Sequence, residues 1–251
     1  MEIISSKTNN LIKKIRSLSV KKYREQFGLY VIEGEKTVEE ALKRKGLVST
    51  LVLSQTKAAQ KPELTELAIT KVVTDDVFAF VADTVTSQGM LALATISQSN
   101  LNDFKGNFLV LDHLQDPGNL GTIIRSGVAS GLNNIALIDT VDPFNAKTVR
   151  ASSGTVWNAN FAKTDIAALK AHLAKTGTTL IIAEMSGTSV FDKTLKVPAK
   201  FCLAVGNEGN GISAELKAVP HQSIAIPMDK KVESLNAGVS ASVLMFVLSN
   251  K

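Results

Sequence analysis

The chain has 251 residues, of which 45% are hydrophobic and 20% charged, and its formal net charge is +5. This composition is ordinary for a globular protein that buries a core. The longest uninterrupted apolar runs, such as residues 243–248, are too short to cross a bilayer, and residues 1–7 hold no apolar signal core. We therefore expect neither a membrane span nor export.

The single cysteine, Cys202, excludes an internal disulfide and is typical of a reducing cytoplasm, which is where we expect the protein to be. Cys202 lies in the apolar run of residues 201–205. That setting favours a small core side chain over a reactive thiol.

The positive charge is concentrated at the N-terminus. Residues 1–25 hold seven basic and two acidic side chains, so they carry the whole net charge and the remainder is neutral. Clustered Lys and Arg are what a polyanion contact needs, although a solvated helix face would show the same pattern. Six residues are the candidate phosphate contacts: Lys13, Lys14, Arg16, Lys21, Lys22 and Arg24.

Short strands and helices alternate along the first 96 residues. The pattern predicts an amphipathic helix over 8–24, then a strand at 29–32, a turn at 33–35, a helix at 37–44, a strand at 51–53, a helix at 62–68, and strands at 69–73 and 91–94. This alternation indicates a small α/β domain over 1–96. The polar stretch after it predicts a linker over 97–106, with a second domain over 107–251.

The second half repeats the alternation with more apolar strands. Strands are predicted at 108–111, 135–138, 180–183, 201–205 and 223–226, and helices at 120–130, 166–175 and 235–248. Near-continuous apolar strands separated by helices favour a mostly parallel sheet covered on both faces.

Three segments rich in Gly, Asn and Ser follow or end predicted strands of this second half. They are residues 111–121, 203–212 and 226–236. Open α/β sheets bind ligands beyond the carboxyl ends of their strands, so these segments are the candidate site.

Several chemistries can be set aside. The three histidines and the one cysteine show no metal-ligand spacing, so we expect no metal. The P-loop, the dinucleotide fingerprint and the Gly-x-Ser-x-Gly elbow are all missing from the sequence.

The remaining polar side chains suit a neutral ligand with an adenosine-like part. Four can offer amide, carboxylate or hydroxyl partners to a ribose or a phosphate: Asn119, Glu208, Ser234 and Asn236. Arg125 lies one helical turn beyond Gly121, and its guanidinium fork suits a phosphate.

Simpler roles are open for the same residues. Asn119 and Ser234 could cap the helices that follow them, because both residue types are favoured caps. Gly206 could serve only as a turn, and Arg125 could be a surface arginine. Each residue alone decides nothing.

Together, the three segments resemble in order and spacing the three motifs of the SpoU branch of the SPOUT RNA methyltransferases. The resemblance implies an α/β fold whose last two motifs form a deep trefoil knot around S-adenosylmethionine, an exception to the rule that chains do not thread loops. Residues 31–34 and 38–41 also resemble, less specifically, the family's N-terminal substrate-binding domain.

Carried over by match, the resemblance implies a set of site residues. The catalytic set is Asn119, Arg125, Glu208, Ser234 and Asn236. The S-adenosylmethionine set is Leu203, Gly206, Asn207, Gly211, Ile226, Met228 and Leu235. After Asn236 the chain departs from the family's usual Val-Ser-Val-Ala and reads Ala-Gly-Val-Ser, a change to small residues.

The activity implied is methylation of a ribose 2′-hydroxyl in RNA by a homodimer that uses S-adenosylmethionine and no metal. Ribosomal RNA is favoured over tRNA as the substrate. The alternatives are a tRNA ribose methyltransferase and a non-catalytic RNA-binding protein that keeps the fold. A nucleotide-dependent oxidoreductase is a third and remote alternative, because the sequence lacks the dinucleotide fingerprint.

Overall fold

A computed structural model describes residues 2–251, which form two compact units. The strands are β1 Ile3–Ile4, β2 Leu29–Glu33, β3 Val48–Ser54, β4 Thr70–Val73, β5 Met90–Thr95, β6 Phe108–Asp112, β7 Asn134–Ile138, β8 Asn160–Lys163, β9 Thr179–Ser189, β10 Phe201–Val205 and β11 His221–Ala225. The α-helices are α1 Asn10–Ser17, α2 Lys21–Phe27, α3 Glu35–Leu42, α4 Gln55–Gln60, α5 Pro62–Thr65, α6 Asp75–Val81, α7 Pro117–Ser130, α8 Ala146–Ala151, α9 Ile166–Thr176, α10 Ala214–Lys217 and α11 Ala237–Leu248. Two short 3-10 helices lie at Leu101–Asp103 and Val156–Asn158.

The first unit contains residues 2–96 together with 144–154. Its five strands form a mixed sheet in the order β1-β4-β3-β5-β2, in which β5 runs antiparallel to both of its neighbours. Helix α8 packs on β2 of this sheet although it comes from the second half of the chain. The boundaries predicted from sequence assign residues 144–154 to the second domain, whereas the fold places them with the first.

The predicted single helix over 8–24 is wrong, because two helices occupy that stretch. Helix α1 ends at Ser17, with Leu18 as its C-cap, and α2 begins at Lys21. The buried Arg24 guanidinium donates hydrogen bonds to the Leu18 and Ser19 carbonyls, at 2.7 and 2.9 Å, which fixes the turn between the helices. The apolar face of the predicted helix is confirmed, since Ile12 and Leu18 are buried.

The four strands predicted in this half are confirmed as β2, β3, β4 and β5, whereas the sequence pattern does not predict α4 and α6. These two helices have six and seven residues, too short for a clear helical period. The predicted helix at 62–68 is real only over α5, which has four residues.

The second unit contains residues 97–143 and 155–251. Its six strands are all parallel, in the order β11-β9-β10-β6-β7-β8, so the predicted parallel sheet is confirmed. Helices α7 and α11 pack together, and the hydroxyl oxygens of Ser126 and Ser242 lie 2.7 Å apart between them. The expected linker at 97–106 contributes two side chains, Leu101 and Phe104, to this unit's core.

Strand β9 is irregular beside β11. Ser223 pairs with Ile182, but the next residue, Ile224, pairs with Thr188, so five residues of β9 leave the ladder. Gly187 returns so close to β11 that a Cβ there would lie 2.5 Å from the Ile224 backbone. Only glycine allows this approach. Within residues 2–251, no helix is long and apolar enough to cross a membrane.

Candidate functional site

The three predicted segments follow strands β6, β10 and β11 of one parallel sheet. Parallel strands present their carboxyl ends at the same edge, so the three segments share one edge of the second unit. Strands β6 and β10 are direct neighbours there, and β11 follows after β9.

The first segment forms the start of α7. Asp116 caps this helix by accepting a hydrogen bond from the Asn119 amide at 2.8 Å, and Pro117 occupies the first turn. The alternative role of Asn119 as the cap is therefore wrong. Its side chain is only 8% exposed and is directed to other partners.

Asn119 joins the three segments through its side-chain amide. Its Nδ2 donates to Glu208 Oε1 at 3.0 Å, and its Oδ1 accepts from Asn236 Nδ2 at 2.8 Å. We call Asn236, Asn119 and Glu208 the amide–carboxylate chain. It takes one residue from each segment, and Asn119 is 89 positions from Glu208 and 117 positions from Asn236 in sequence.

Glu208 holds the first segment with more than its Asn119 contact. Its Oε1 accepts from the Asp116 amide at 3.0 Å, and its Oε2 accepts from the Gln115 amide at 3.2 Å. Burial opposes ionisation of this carboxyl, but the hydrogen bonds from Asn119 and from backbone amides outweigh it and lower the Glu208 pKa. The carboxylate is therefore ionised at neutral pH, with hydrogen bonds to both of its oxygens.

Asn236 has two functions in the third segment. Its Oδ1 accepts from the Val239 amide at 3.2 Å and caps α11, while its Nδ2 belongs to the amide–carboxylate chain. The alternative role of Ser234 as the cap is wrong for this reason. Ser234 is exposed on the same segment, two residues before the cap.

The second segment is a closed glycine loop. Asn207 and Gly211 exchange two backbone hydrogen bonds of 2.9 Å, and a Cβ on Gly206 would lie 2.2 Å from the Gly211 carbonyl carbon. The Asn207 side chain accepts from the Gly209 and Asn210 amides and donates to the His113 carbonyl. Gly206 thus lacks room for a side chain because of the loop itself, before any ligand is considered.

The other residues of the predicted S-adenosylmethionine set surround this edge in different ways. Leu203 is fully buried within β10, Ile226 and Met228 are half-buried after β11, and Leu235 is 37% exposed. Ile226, Met228 and Leu235 thus offer an apolar surface at this edge. An adenosine can use such a surface, since its base is flat and its polar edge takes backbone hydrogen bonds.

Arg125 lies apart from the amide–carboxylate chain. It is on the exposed side of α7, six residues after the buried Asn119. Six helical residues correspond to about 9 Å along the axis and about 120° around it. The two residues therefore face different directions from one helix.

Sequence reasoning missed Asp112 as a site residue. Its carboxylate is fully buried at the end of β6, where it accepts from the Ser213 amide at 2.7 Å and lies 2.6 Å from His113 Nδ1. His113 has a φ of +58°, which is uncommon for a residue with a side chain. The signal that could have found Asp112 is a carboxylate at the end of an apolar strand.

The structure separates the six basic candidates of the N-terminal helices. Lys13, Lys21 and Lys22 are exposed, whereas Arg24 is buried and holds the turn between α1 and α2. Lys14 and Arg16 lie over aromatic rings, those of Phe27 and Phe80. Arg24 is thus placed inside the fold and away from the basic surface.

A metal centre and a reactive thiol both lack support in the fold. Residues 2–251 contain no group of three or more His, Cys, Asp and Glu side chains that could hold a metal ion. Cys202 is fully buried, and burial raises the pKa of its thiol to about 12. This confirms Cys202 as a core side chain.

Both halves of the chain are similar to known proteins. Residues 106–246 match the SpoU rRNA Methylase family, and residues 9–92 match the MRM3-like substrate binding domain. The chain is 32% identical over 250 residues to the 23S rRNA (guanosine(2553)-2′-O)-methyltransferase RlmP of Bacillus subtilis, with 99% of both chains covered. It is 30% identical over 255 residues to an uncharacterized tRNA/rRNA methyltransferase of Synechocystis, covering 97% of this chain and 92% of that one. The crystal structure of an AdoMet-bound rRNA methyltransferase from Sinorhizobium meliloti aligns with a TM-score of 0.86 at 28% identity, covering 99% and 97% of the two chains.

Proposed function

The chain belongs to the SpoU rRNA methylase family, and we propose on this premise that it methylates a ribose 2′-hydroxyl of ribosomal RNA with S-adenosylmethionine as the methyl donor. The observation that carries the proposal is the amide–carboxylate chain, which joins all three motif segments at one edge of the parallel sheet. The similarity to RlmP extends over both units, so it includes the N-terminal domain as well as the motif segments.

The loop edge fits the proposed methyl donor. Leu235 is exposed, Ile226 and Met228 are half-buried after β11, and the closed loop at Gly206–Gly211 has three glycines whose backbone carries no side chain. When bound, S-adenosylmethionine would supply an electrophilic sulfonium methyl group. The methyl carbon–sulfur bond would break as the carbon–oxygen bond to the ribose forms, with the neutral thioether as the leaving group and the hydroxyl proton passing to water.

In this proposal, Glu208 positions the first segment and does not react itself. Its carboxylate accepts hydrogen bonds from Asn119 and from two backbone amides, so it fixes the first segment against the glycine loop. Because those bonds occupy both carboxylate oxygens, we do not assign it the ribose proton. Asn119 and Asn236 extend the same positioning to the third segment.

Arg125 is assigned to RNA phosphate binding and to orientation of the attacking ribose. It is exposed on α7, and a guanidinium can donate two parallel hydrogen bonds to one phosphate. An arginine side chain almost never loses its proton in a protein, so it does not serve as the base.

A homodimer belongs to the proposal. Val239, Val243 and Phe246 form one stripe on α11, where Val239 is 47% and Phe246 46% exposed. Their spacing of four and three residues places them on one helix face, and such an apolar stripe favours an interface. Within one copy, Arg125 faces away from the amide–carboxylate chain. In a dimer, the Arg125 side chain of the second copy can approach that chain.

The trefoil knot and the cytoplasmic location remain part of this proposal. One close approach of backbone to backbone between distant parts of the chain, Gly187 of β9 against Ile224 of β11, supports a tightly wound chain. A buried cysteine with a free thiol suits a reducing compartment.

The proposal is tested with purified protein, methyl-labelled S-adenosylmethionine, and ribosomal RNA or tRNA as the acceptor. We expect transfer to ribosomal RNA, with the labelled ribose blocking alkaline cleavage at that nucleotide. Transfer to tRNA alone would favour the tRNA alternative. Label on a base, or no transfer to either RNA, would contradict the proposal.

A further inference from the structure

Helix α2 presents two exposed aromatic rings side by side. Tyr23 is 38% and Phe27 40% exposed, and their ring centroids lie 6.4 Å apart with planes only 19° from parallel. Their spacing of four residues places them on one face of the helix. We call this pair the aromatic platform.

The platform lies within the basic segment of the chain. The Lys14 ammonium is 5.0 Å from the Phe27 ring centroid, and Lys21 and Lys22 are exposed in the first turn of the same helix. In α2 Glu25 is the one acidic residue. Aromatic rings interleaved with lysines are the surface that binds single-stranded nucleic acid, because bases stack on the rings while phosphates contact the ammonium groups.

The platform is also rigidly mounted. The buried Arg24 lies between the two aromatic residues in sequence and donates to the Leu18 and Ser19 carbonyls at 2.7 and 2.9 Å. This anchors the first turn of α2 to the end of α1. A surface whose rings are already in place loses less conformational freedom on binding than a mobile one.

Another exposed aromatic residue of the same unit differs in one respect. Phe80 is 37% exposed, but the Arg16 guanidinium lies 4.4 Å and the Lys7 ammonium 5.4 Å from its ring centroid. Its ring thus has two cation partners. Among residues 2–251 the aromatic platform has one such partner, Lys14 on Phe27, and no cation lies over the Tyr23 ring.

We propose that the aromatic platform binds an unpaired base of the RNA substrate by stacking, with the lysines of α1 and α2 holding the adjoining phosphates. This inference rests on the proposed function, since it takes RNA as the substrate. It assigns Tyr23 and Phe27 a role in recognising unpaired RNA, and it commits to RNA over a protein partner because the surrounding charge is basic.

The test uses the full-length protein and fluorescence anisotropy with a labelled single-stranded RNA oligonucleotide and a duplex of the same length. We expect Tyr23→Leu combined with Phe27→Leu to weaken single-strand binding about tenfold, the order of one base stack, and duplex binding by less than about twofold. Tyr23→Phe keeps the ring and should bind like the wild type. Phe80→Leu is the matched control, of similar exposure, and should change the affinity by less than about twofold.

Salt dependence separates stacking from charge. The double leucine variant should keep the wild-type slope of log affinity against log salt, because it removes no positive charge. Lys21→Gln with Lys22→Gln should flatten that slope by about 0.7 for each phosphate that these lysines neutralise on a single strand. A double leucine variant that folds and binds single strands like the wild type would overturn the proposal. If the double leucine variant bound RNA normally but lost binding to a protein partner, the platform would be a protein-binding surface. The proposal would then also fail.

A methylation assay separates failure of the aromatic-platform proposal from failure of the proposed function. In methyl transfer to ribosomal RNA, the double leucine variant should raise KM about tenfold and leave kcat and S-adenosylmethionine affinity unchanged. If the wild type methylates ribosomal RNA and the variant has the same KM, the platform is wrong while the function stands. If the wild type transfers no methyl group but single-strand binding still depends on the rings, the proposed function is wrong while the platform stands.

Discussion

Two sets of polar residues, one in each unit, look equally functional in sequence and fold into opposite arrangements. In the second unit, Asn119, Glu208 and Asn236 are brought from distant positions into one hydrogen-bonded chain. In the first unit, the basic residues adjacent in sequence are separated by the fold. Arg24 is buried, Arg16 donates to the Phe80 carbonyl, and lysines such as Lys13 remain exposed.

The difference follows from what fixes each set. Residues at the carboxyl ends of neighbouring parallel strands must meet, because the sheet determines where those ends are. Residues along a helix point in all directions around it, so adjacency in sequence does not give a common surface. A motif spread over several strands is thus stronger evidence for a site than a local run of like charges.

The largest expected effect is on Arg125. Arg125→Ala should lower methyl transfer at least about 100-fold, which corresponds to roughly 2.7 kcal/mol of barrier, because a phosphate-positioning guanidinium is removed. The substituted residue is exposed, so folding and S-adenosylmethionine affinity should be close to wild type. Single-turnover kinetics measures this, with Lys170→Ala, at an exposed lysine of α9, as the control. Near wild-type turnover by Arg125→Ala would remove it from the site.

The apolar stripe on α11 comes next. Phe246→Glu places a charge on a side chain that is 46% exposed, so it should leave the fold intact, break the dimer and lower methyl transfer by at least about tenfold. Sedimentation gives the oligomeric state. Phe191→Glu, at a 56% exposed phenylalanine outside the stripe, is the control and should remain a dimer. A wild-type protein that is monomeric and active at micromolar concentration would refute the interface.

The next prediction concerns the first unit, where the fold buries Arg24 as a structural residue. Arg24→Leu leaves the Leu18 and Ser19 carbonyls without their donor and should cost about 1–3 kcal/mol of stability. Denaturant unfolding measures the change, and Lys13→Leu, at an exposed position, should change stability by less than about 0.5 kcal/mol. Equal stability of the two variants would show that Arg24 does not hold the turn.

The smallest effect expected is the pH dependence at Glu208. Its pKa is lowered in the folded protein, so its stabilising contribution is complete above the unfolded pKa and disappears as the pH falls through the lower, folded value. The Tm of the wild type should exceed that of Glu208→Gln at pH 6, and the gap should narrow below about pH 4. A gap that stays constant from pH 6 to pH 3 would contradict the ionised carboxylate.

Much of the second unit is predictable because its strands are long apolar runs. The predicted strand at 201–205 has the same bounds as β10, and the predicted helix at 235–248 begins two residues before α11. The break in the N-terminal helix is not predictable from its period. It depends on Arg24, whose burial is a tertiary contact.

The candidate site is predictable as a set of residues and less so as an arrangement. The sequence singles out Asn119, Glu208 and Asn236, but their mutual hydrogen bonds depend on the strand order of the sheet. The surroundings of Gly206 are likewise not predictable from the sequence. The resemblance assigns Gly206 to the S-adenosylmethionine set, whereas the structure places the Gly211 backbone in the space that a side chain at Gly206 would need.

The small residues after Asn236 are explained by packing. A Cβ on Gly238 would lie 3.1 Å from Thr122 Cβ, so the departure from the usual family sequence lets α11 lie close to α7. The change to small residues is thus accommodated where the two helices meet.

The most direct test of the central claim is mass spectrometry of ribosomal RNA from a strain that lacks this protein. We predict the disappearance of one ribose methyl group, its return when the wild-type chain is supplied, and no return with Arg125→Ala. A methylation pattern identical with and without the protein would contradict the assignment of this site to ribose methylation of ribosomal RNA.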